Sequence, residues 1–184
     1  MAFPTETFYG LAVDPFNEQA LNDLFRLKGR PLHKPFLVLI QDESQLPSLA
    51  RSIPRPYVPL MRDFWPGPLT LVFPALSGLS SVLTGDGAGI GVRISPHPVA
   101  RAFGEMWGKP MTATSANRSG MPAARTASEV QQFFGDEEVC ILDGGLTQGG
   151  MSSTVVGLTQ GELQLIRAGV IDFSTLVQVG RKKG

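Results

Sequence analysis

The sequence has one cysteine, two histidines and no net charge, sixteen acidic side chains being offset by sixteen basic ones over 184 residues. A single cysteine excludes a disulfide framework. Cys140 stands between Val139 and Ile141 in an apolar run and is expected to be a core thiol in a reducing compartment. His33 and His97 each sit in a proline-bounded turn with no second ligand at metal spacing. No zinc site is therefore expected, and both read as surface or capping side chains. Charge balance removes any overall attraction to nucleic acid or membrane, so an anion site would have to be local. No apolar run reaches the ~18 residues of a membrane span, and there is neither a signal peptide nor a lipidation motif, which predicts a cytoplasmic protein. Gly-x-Gly-x-x-Gly and Gly-Lys-Ser/Thr are both missing, which argues against a P-loop nucleotide fold. Ser115 has no Gly-x-Ser-x-Gly elbow and no evident His-Asp pair, which argues against a hydrolase triad.

What the chain does have is an alternation of short strands and short helices. Its length predicts one domain over residues 1–184. Met1 to Pro4 reads as the end of a strand and Phe8 to Leu11 as a turn. Asn17 to Leu27 carries apolar residues near i, i+3, i+4 and i+7 spacing, which predicts a helix with one buried stripe. Further helices are expected over Ser44 to Arg51, Tyr57 to Trp65, Val99 to Trp107, Glu129 to Phe134 and Phe173 to Val179. Ser128 with Gln131 fits a capping box for the helix that starts at Glu129. Strands are expected over Phe36 to Ile40, Leu69 to Phe73, Ile90 to Ile94, Met111 to Ala113, Val139 to Leu142, Ser153 to Val156 and Leu163 to Arg167. The class is α/β with an open, twisted, mixed sheet. Ser77 to Gly91, rich in Gly and Ser, reads as a mobile loop and a candidate lid. Arg181 to Lys183 reads as a solvated tail.

The chemistry concentrates in cations on turns. Gly29, Pro31 and Pro35 make the chain turn between the first helix and the following strand, so Lys28, Arg30 and Lys34 leave together with no acid among them. Such a cluster suits a polyphosphate, which Arg can grip with a planar fork and Lys with a movable charge. A helix end also favours cations near its negative pole, and this stretch alone does not decide between the two. Arg93 and Arg167 lie in apolar strand contexts, Gly-Val-Arg-Ile and Leu-Ile-Arg-Ala-Gly, where a guanidinium needs a definite partner. Arg125 could equally be an ordinary salt-bridge residue. Thr114 to Gly120 crowds polar side chains at the carboxyl end of a strand, where open α/β sheets place ligands.

In order along the chain stand Pro4-Thr-Glu-Thr-Phe-Tyr-Gly-Leu11, Leu27-Lys-Gly-Arg-Pro31, Phe64-Trp-Pro-Gly-Pro-Leu-Thr-Leu71, Gly91-Val-Arg-Ile94 with Pro96-His-Pro98, Thr114-Ser-Ala-Asn117 with Ser119-Gly120, Ser153-Thr-Val-Val156 and Ile166-Arg-Ala-Gly169. Together they resemble the YrdC family, the threonylcarbamoyl-AMP synthases. The resemblance implies an open twisted α/β sheet with a large concave basic face. It implies an enzyme that joins L-threonine, bicarbonate and ATP into threonylcarbamoyl-adenylate and pyrophosphate. A separate threonylcarbamoyl transferase complex would then modify tRNA. By the same resemblance the Lys-x-Arg and Ser-x-Asn pairs fall on Lys28, Arg30, Ser115 and Asn117. Thr7, Arg93 and Ser153, with Ser115, would hold threonine. Arg30, Lys34, Asn117, Arg125 and Arg167 would hold ATP, with magnesium on its phosphates. Lys28→Ala or Arg30→Ala is then expected to lower turnover by at least ~100-fold with the fold intact. The sequence departs from the family's pattern in lacking a further amino-terminal helix and strand residues, in having Leu39 where many members carry His, and in having Gly157 where Asp often stands. Two rival readings are a binding module of the same fold for double-stranded RNA or tRNA, and the carbamoyl-adenylate chemistry of hydrogenase maturation. The second usually comes with a longer, cysteine-rich chain.

Overall fold

The computed structural model describes residues 1–29, 35–85 and 88–181. Its strands are β1 (Ala2–Pro4), β2 (Tyr9–Leu11), β3 (Leu37–Leu39), β4 (Leu69–Pro74), β5 (Gly89–Arg93), β6 (Met111–Ser115), β7 (Thr154–Thr159) and β8 (Glu162–Arg167). They form one sheet in the order β1-β2-β6-β3-β5-β4-β7-β8. β3 runs parallel to β5 and β4 parallel to β7, while the other neighbours are antiparallel. β1 and β8 end that order without meeting, so the sheet is mixed and open, as the sequence leads one to expect.

The helices are α1 (Glu18–Lys28), α2 (Tyr57–Phe64), α3 (Ser81–Thr84), α4 (Pro98–Trp107), α5 (Ala127–Phe134) and α6 (Phe173–Arg181). α1 shows how local chemistry sets an element. The Asn17 side chain accepts from Ala20 N at 3.0 Å, satisfying one of the orphan donors of the first turn. Gly29 ends the helix in the left-handed region at φ 57°, with its N–H on Arg26 O. The buried stripe between those caps is Leu21, Leu24, Phe25 and Lys28, a run of i, i+3, i+4 and i+7. A lysine thus occupies the last position of an apolar stripe, which places its amine inside the fold.

One sheet face carries the main core, to which α1, α2, α3, α5 and α6 contribute Leu21, Tyr57, Leu83, Phe134 and Leu176. Aromatic rings pack across it, with Tyr57 edge-on to Phe73 at 5.1 Å between centroids. The second face is covered only in part. There α4 supplies Ala100 to a small cluster with Phe3, Leu39 and Met111. Strand alternation puts Leu37 on the same face as Leu39, and their register partners Ala113 and Arg93 lie beside them. That uncovered part of the second face is where the polar residues gather.

Several expectations need correction. Phe8 to Leu11 is not simply a turn, since Tyr9–Leu11 is a strand paired with β1 and β6. Residues 139–142 hold only an isolated bridge from Ile141 to Ala2, and Cys140 is exposed rather than in the core. Val139 and Ile141 turn partly inward against the main core, and the extended backbone between them turns the thiol outward. α5 is capped by Thr126, which accepts from Glu129 N at 3.1 Å, while Glu129 accepts from Arg125 N at 2.6 Å. The cap is therefore two residues earlier than Ser128, because Thr126 also has a carboxylate three positions on. Ser44 to Arg51 is a tighter 3₁₀ helix over Glu43–Ser48, with Pro47 inside it. The candidate lid contains α3, capped by Ser80 and anchored by fully buried Leu83. Of the expected solvated tail, Arg181 is exposed but is the last residue of α6, and Lys182 and Lys183 lie outside the described residues.

Candidate active site

Five of the predicted site residues line a single cavity of about 90 Å³ on the open face: Thr7, Arg93, Ser115, Ser153 and Arg167. They come from the loop after β1, the ends of β5 and β6, the entry to β7 and the end of β8. β6 runs antiparallel to β3, whereas β5 runs parallel to it, so Ser115 and Arg93 stand at strand ends that point opposite ways. The cavity therefore crosses the sheet face instead of following one carboxyl edge.

The first wall is the Thr5–Tyr9 turn. Thr5 Oγ1 donates to Phe8 O at 2.7 Å and accepts from Thr7 N at 3.3 Å, which closes the turn. The hydroxyls of Thr5 and Thr7 lie 3.2 Å apart, and both side chains are buried. Tyr9 then fastens the 143–145 segment. Its hydroxyl donates to Gly145 O at 2.8 Å and accepts from Gly144 N at 3.1 Å. Burial, together with the Asp143 carboxylate, raises the pKa of this phenol and keeps its proton on.

The second wall joins β7 and β8. Arg167 Nη2 donates to Ser153 O at 2.8 Å and to Ser153 Oγ at 3.0 Å, and Ser153 Oγ lies 3.0 Å from Thr70 Oγ1. This contact depends on Gly169. A Cβ there would stand 2.3 Å from both Ser152 O and Thr154 N, which are backbone atoms that cannot step aside. Gly169→Ala is expected to push the Arg167 turn off Ser153 and to cost about 1–3 kcal/mol, seen as a lower melting temperature. An unchanged melt with Arg167 still on Ser153 would contradict this account.

Arg93 is buried at the junction, its side chain 7% exposed, and it is paired with Glu6, whose side chain is 12% exposed. Ser95 donates to the other Glu6 oxygen at 2.5 Å. The definite partner that an apolar strand demands of a guanidinium is thus an acid from the first motif. Burial, and secondarily the nearby Arg167, push the Arg93 pKa down to about 10, so the group remains cationic at neutral pH. Arg93 Nε and Nη1 and Glu6 Oε1 are all buried with no hydrogen bond among the described residues, so the Glu6 contact is one of charge and the donors of the guanidinium are not fully committed.

Lys28 and Asn117 do not line the cavity; they stand behind it. Lys28 Nζ donates to Ser115 O at 2.5 Å, Asn117 O at 2.8 Å and Asn117 Oδ1 at 3.2 Å. Ser115 Oγ donates to the same Asn117 Oδ1 at 2.6 Å, and Ser119 N donates back to Lys28 O at 2.8 Å. The Lys-x-Arg and Ser-x-Asn motifs are therefore one interlocked unit at its lysine end. Arg125 is exposed and is not brought to the cavity. Its guanidinium bonds Thr147 O at 3.3 Å, on the segment whose Gly149 N donates to Thr7 O. Arg30 and Lys34 lie outside the described residues, as does His33. His97 is a cap, accepting from Val99 N at the start of α4.

Reading the sequence missed Thr5, Glu6, Thr70 and Ser95. The signal for Thr5 was the alternation that places it with Thr7. For Ser95 it was its position two residues beyond Arg93, and for Thr70 a hydroxyl between two leucines of a buried strand. Among the described residues no helix is long and apolar enough to cross a membrane.

A family model described as "Telomere recombination" and labelled Sua5_yciO_yrdC matches residues 1–169. The chain is 39% identical over 97% of its length to a threonylcarbamoyl-AMP synthase of Pyrococcus abyssi, covering 53% of that protein. It is 38% identical over 93% of its length to a threonylcarbamoyl-AMP synthase of Bacillus subtilis, covering 50% of it. The chain thus spans about half the length of these two curated relatives. The crystal structure of P. abyssi Sua5 complexed with L-threonine superposes with a TM-score of 0.93 at 38% identity, over 99% of this chain and 54% of that one.

Proposed function

Because the chain belongs to the Sua5/YciO/YrdC family, we propose that it forms the synthase unit that makes L-threonylcarbamoyl-adenylate and pyrophosphate from L-threonine, bicarbonate and ATP. Carrying this reading is the convergence of Arg93, Arg167, Thr7 and Ser153 on one polar cavity, in a chain so similar to a Sua5 solved with L-threonine. Arg93 supplies a cation for the threonine carboxylate, and Thr7 and Ser153 supply hydroxyls for its polar groups. Arg167 serves the nucleotide and its phosphates from the cavity wall, while Asn117 and Arg125, which lie off that wall, and Arg30 and Lys34 are assigned to it by the family's motifs. Lys28 fixes the Ser115–Asn117 turn from behind.

Threonine and bicarbonate first lose water to form a carbamate. A carbamate oxygen then forms a bond to the α-phosphorus as the bond to the β-phosphate oxygen breaks, so pyrophosphate leaves. Both reactants are anions, and the neighbouring guanidiniums lower the cost of bringing them together. Magnesium enters this scheme with ATP, as the counter-ion of its phosphates. The product is an activated acyl phosphate, suited to a transferase complex that modifies tRNA in the cytoplasm.

The test is pyrophosphate release. It is expected to require threonine and bicarbonate together, and omission of either should return it to background. A chain that is indifferent to threonine, and whose RNA affinity falls steeply with salt, would instead be a double-stranded RNA or tRNA binding module.

A further inference from the structure

We propose that Glu6 is a positioning residue that acts through Arg93, holding the guanidinium in the orientation in which a substrate carboxylate meets it. This rests on the cavity being a threonine site. Thr5 and Thr7 line the cavity and Glu6, between them, does not, so the closed turn sends the two hydroxyls inward and the carboxylate sideways. From there Glu6 reaches the end of β5, where one oxygen pairs with Arg93 Nη1 and the other accepts the Ser95 hydroxyl. The Ser95 hydroxyl also accepts from His97 N at 3.2 Å, which ties the chain of contacts to the start of α4.

Two features separate this from a mere structural ion pair. Arg93 shares the cavity wall with a second guanidinium, Arg167, and like charges that close splay apart unless one is held. Glu6 holds Arg93 from outside the cavity, so it restrains the fork without occupying the place of a ligand. That hold is a charge contact, since neither Nη1 nor Glu6 Oε1 makes a hydrogen bond among the described residues, and Nε makes none either. A planar fork fixed on one side presents its other donors in a defined direction, and that pre-organisation is what a bidentate carboxylate contact needs.

The experiment measures L-threonine binding by calorimetry and threonine KM and kcat by pyrophosphate release, on wild type, Glu6→Gln, Glu6→Asp and Ser95→Ala. Glu6→Gln is expected to weaken threonine binding and raise its KM by ~10–100-fold, with kcat within about threefold and ATP binding unchanged. Glu6→Asp is expected to recover part of the loss, and Ser95→Ala to show a smaller loss of the same kind. Plain electrostatics predicts the opposite sign, because removing a carboxylate makes the cavity more positive. Tighter or unchanged threonine binding by a folded Glu6→Gln would therefore overturn the proposal, as would equal losses of kcat and ATP binding. If Glu6→Gln does not fold, unchanged threonine binding by Ser95→Ala would overturn it. Failure of wild type to bind threonine at all would instead remove the functional reading beneath it.

Discussion

Arg93→Ala is expected to reduce threonine-dependent pyrophosphate release by ~10²–10³-fold, the usual loss when one charge-stabilising group leaves a reaction site. The variant removes the cation from the cavity wall and strands Glu6, whose carboxylate is almost buried. Breaking one half of a buried pair costs about 3–5 kcal/mol, so a fall in melting temperature accompanies the loss of activity. Arg93→Lys separates the two effects. It keeps the charge near Glu6 and hence most of the stability, but a point charge replaces the planar fork, so threonine KM is expected to rise about tenfold or more. Arg93→Lys with wild-type threonine kinetics would show that the fork is not used. Full activity in Arg93→Ala would take Arg93 out of the site altogether.

Much of this arrangement was legible in the chain, and what was not has physical causes. The open mixed sheet follows from short strands and helices in alternation, and Arg93 betrayed itself by standing among apolar neighbours. Thr7, Ser115, Ser153 and Arg167 could be named from motifs, although only folding shows that segments so far apart share one cavity. Glu6 went unread because a single acid in a turn resembles any solvated side chain until its partner, 87 residues away, is known. Cys140 misled for the reverse reason: the apolar run looked like a core strand, but only Val139 and Ile141 pack against the core, and Cys140 between them faces outward. Lys28 is the instructive case. Read as a turn cation it points outward, while read by helical spacing it completes a stripe with Leu21, Leu24 and Phe25 and points inward. The periodic signal was the stronger, because an eleven-residue helix with both ends capped leaves little freedom in which face its last residue joins.

Lys28→Met is accordingly expected to damage both fold and turnover, contrary to the expectation that a change at Lys28 leaves the fold intact. Lys28 is 2% exposed, and its amine serves Ser115 O, Asn117 O and Asn117 Oδ1. Methionine fills the volume of the stem but donates nothing, so buried acceptors lose a charged donor, at about 1–3 kcal/mol for each left unsatisfied. The melting temperature is therefore expected to fall by several degrees. Turnover is expected to fall by ~100-fold, because a shift of about 1 Å in the Ser115–Asn117 turn is enough to spoil alignment at a reacting centre. ATP affinity tells which way the lysine acts. If it works by bracing the turn, ATP binding stays within a few-fold of wild type and keeps its salt dependence, while kcat collapses. If it grips phosphate directly, affinity and the salt slope fall together. A Lys28→Met protein with the wild-type melt and full turnover would mean that the amine braces nothing, and that the link between the two motifs is incidental.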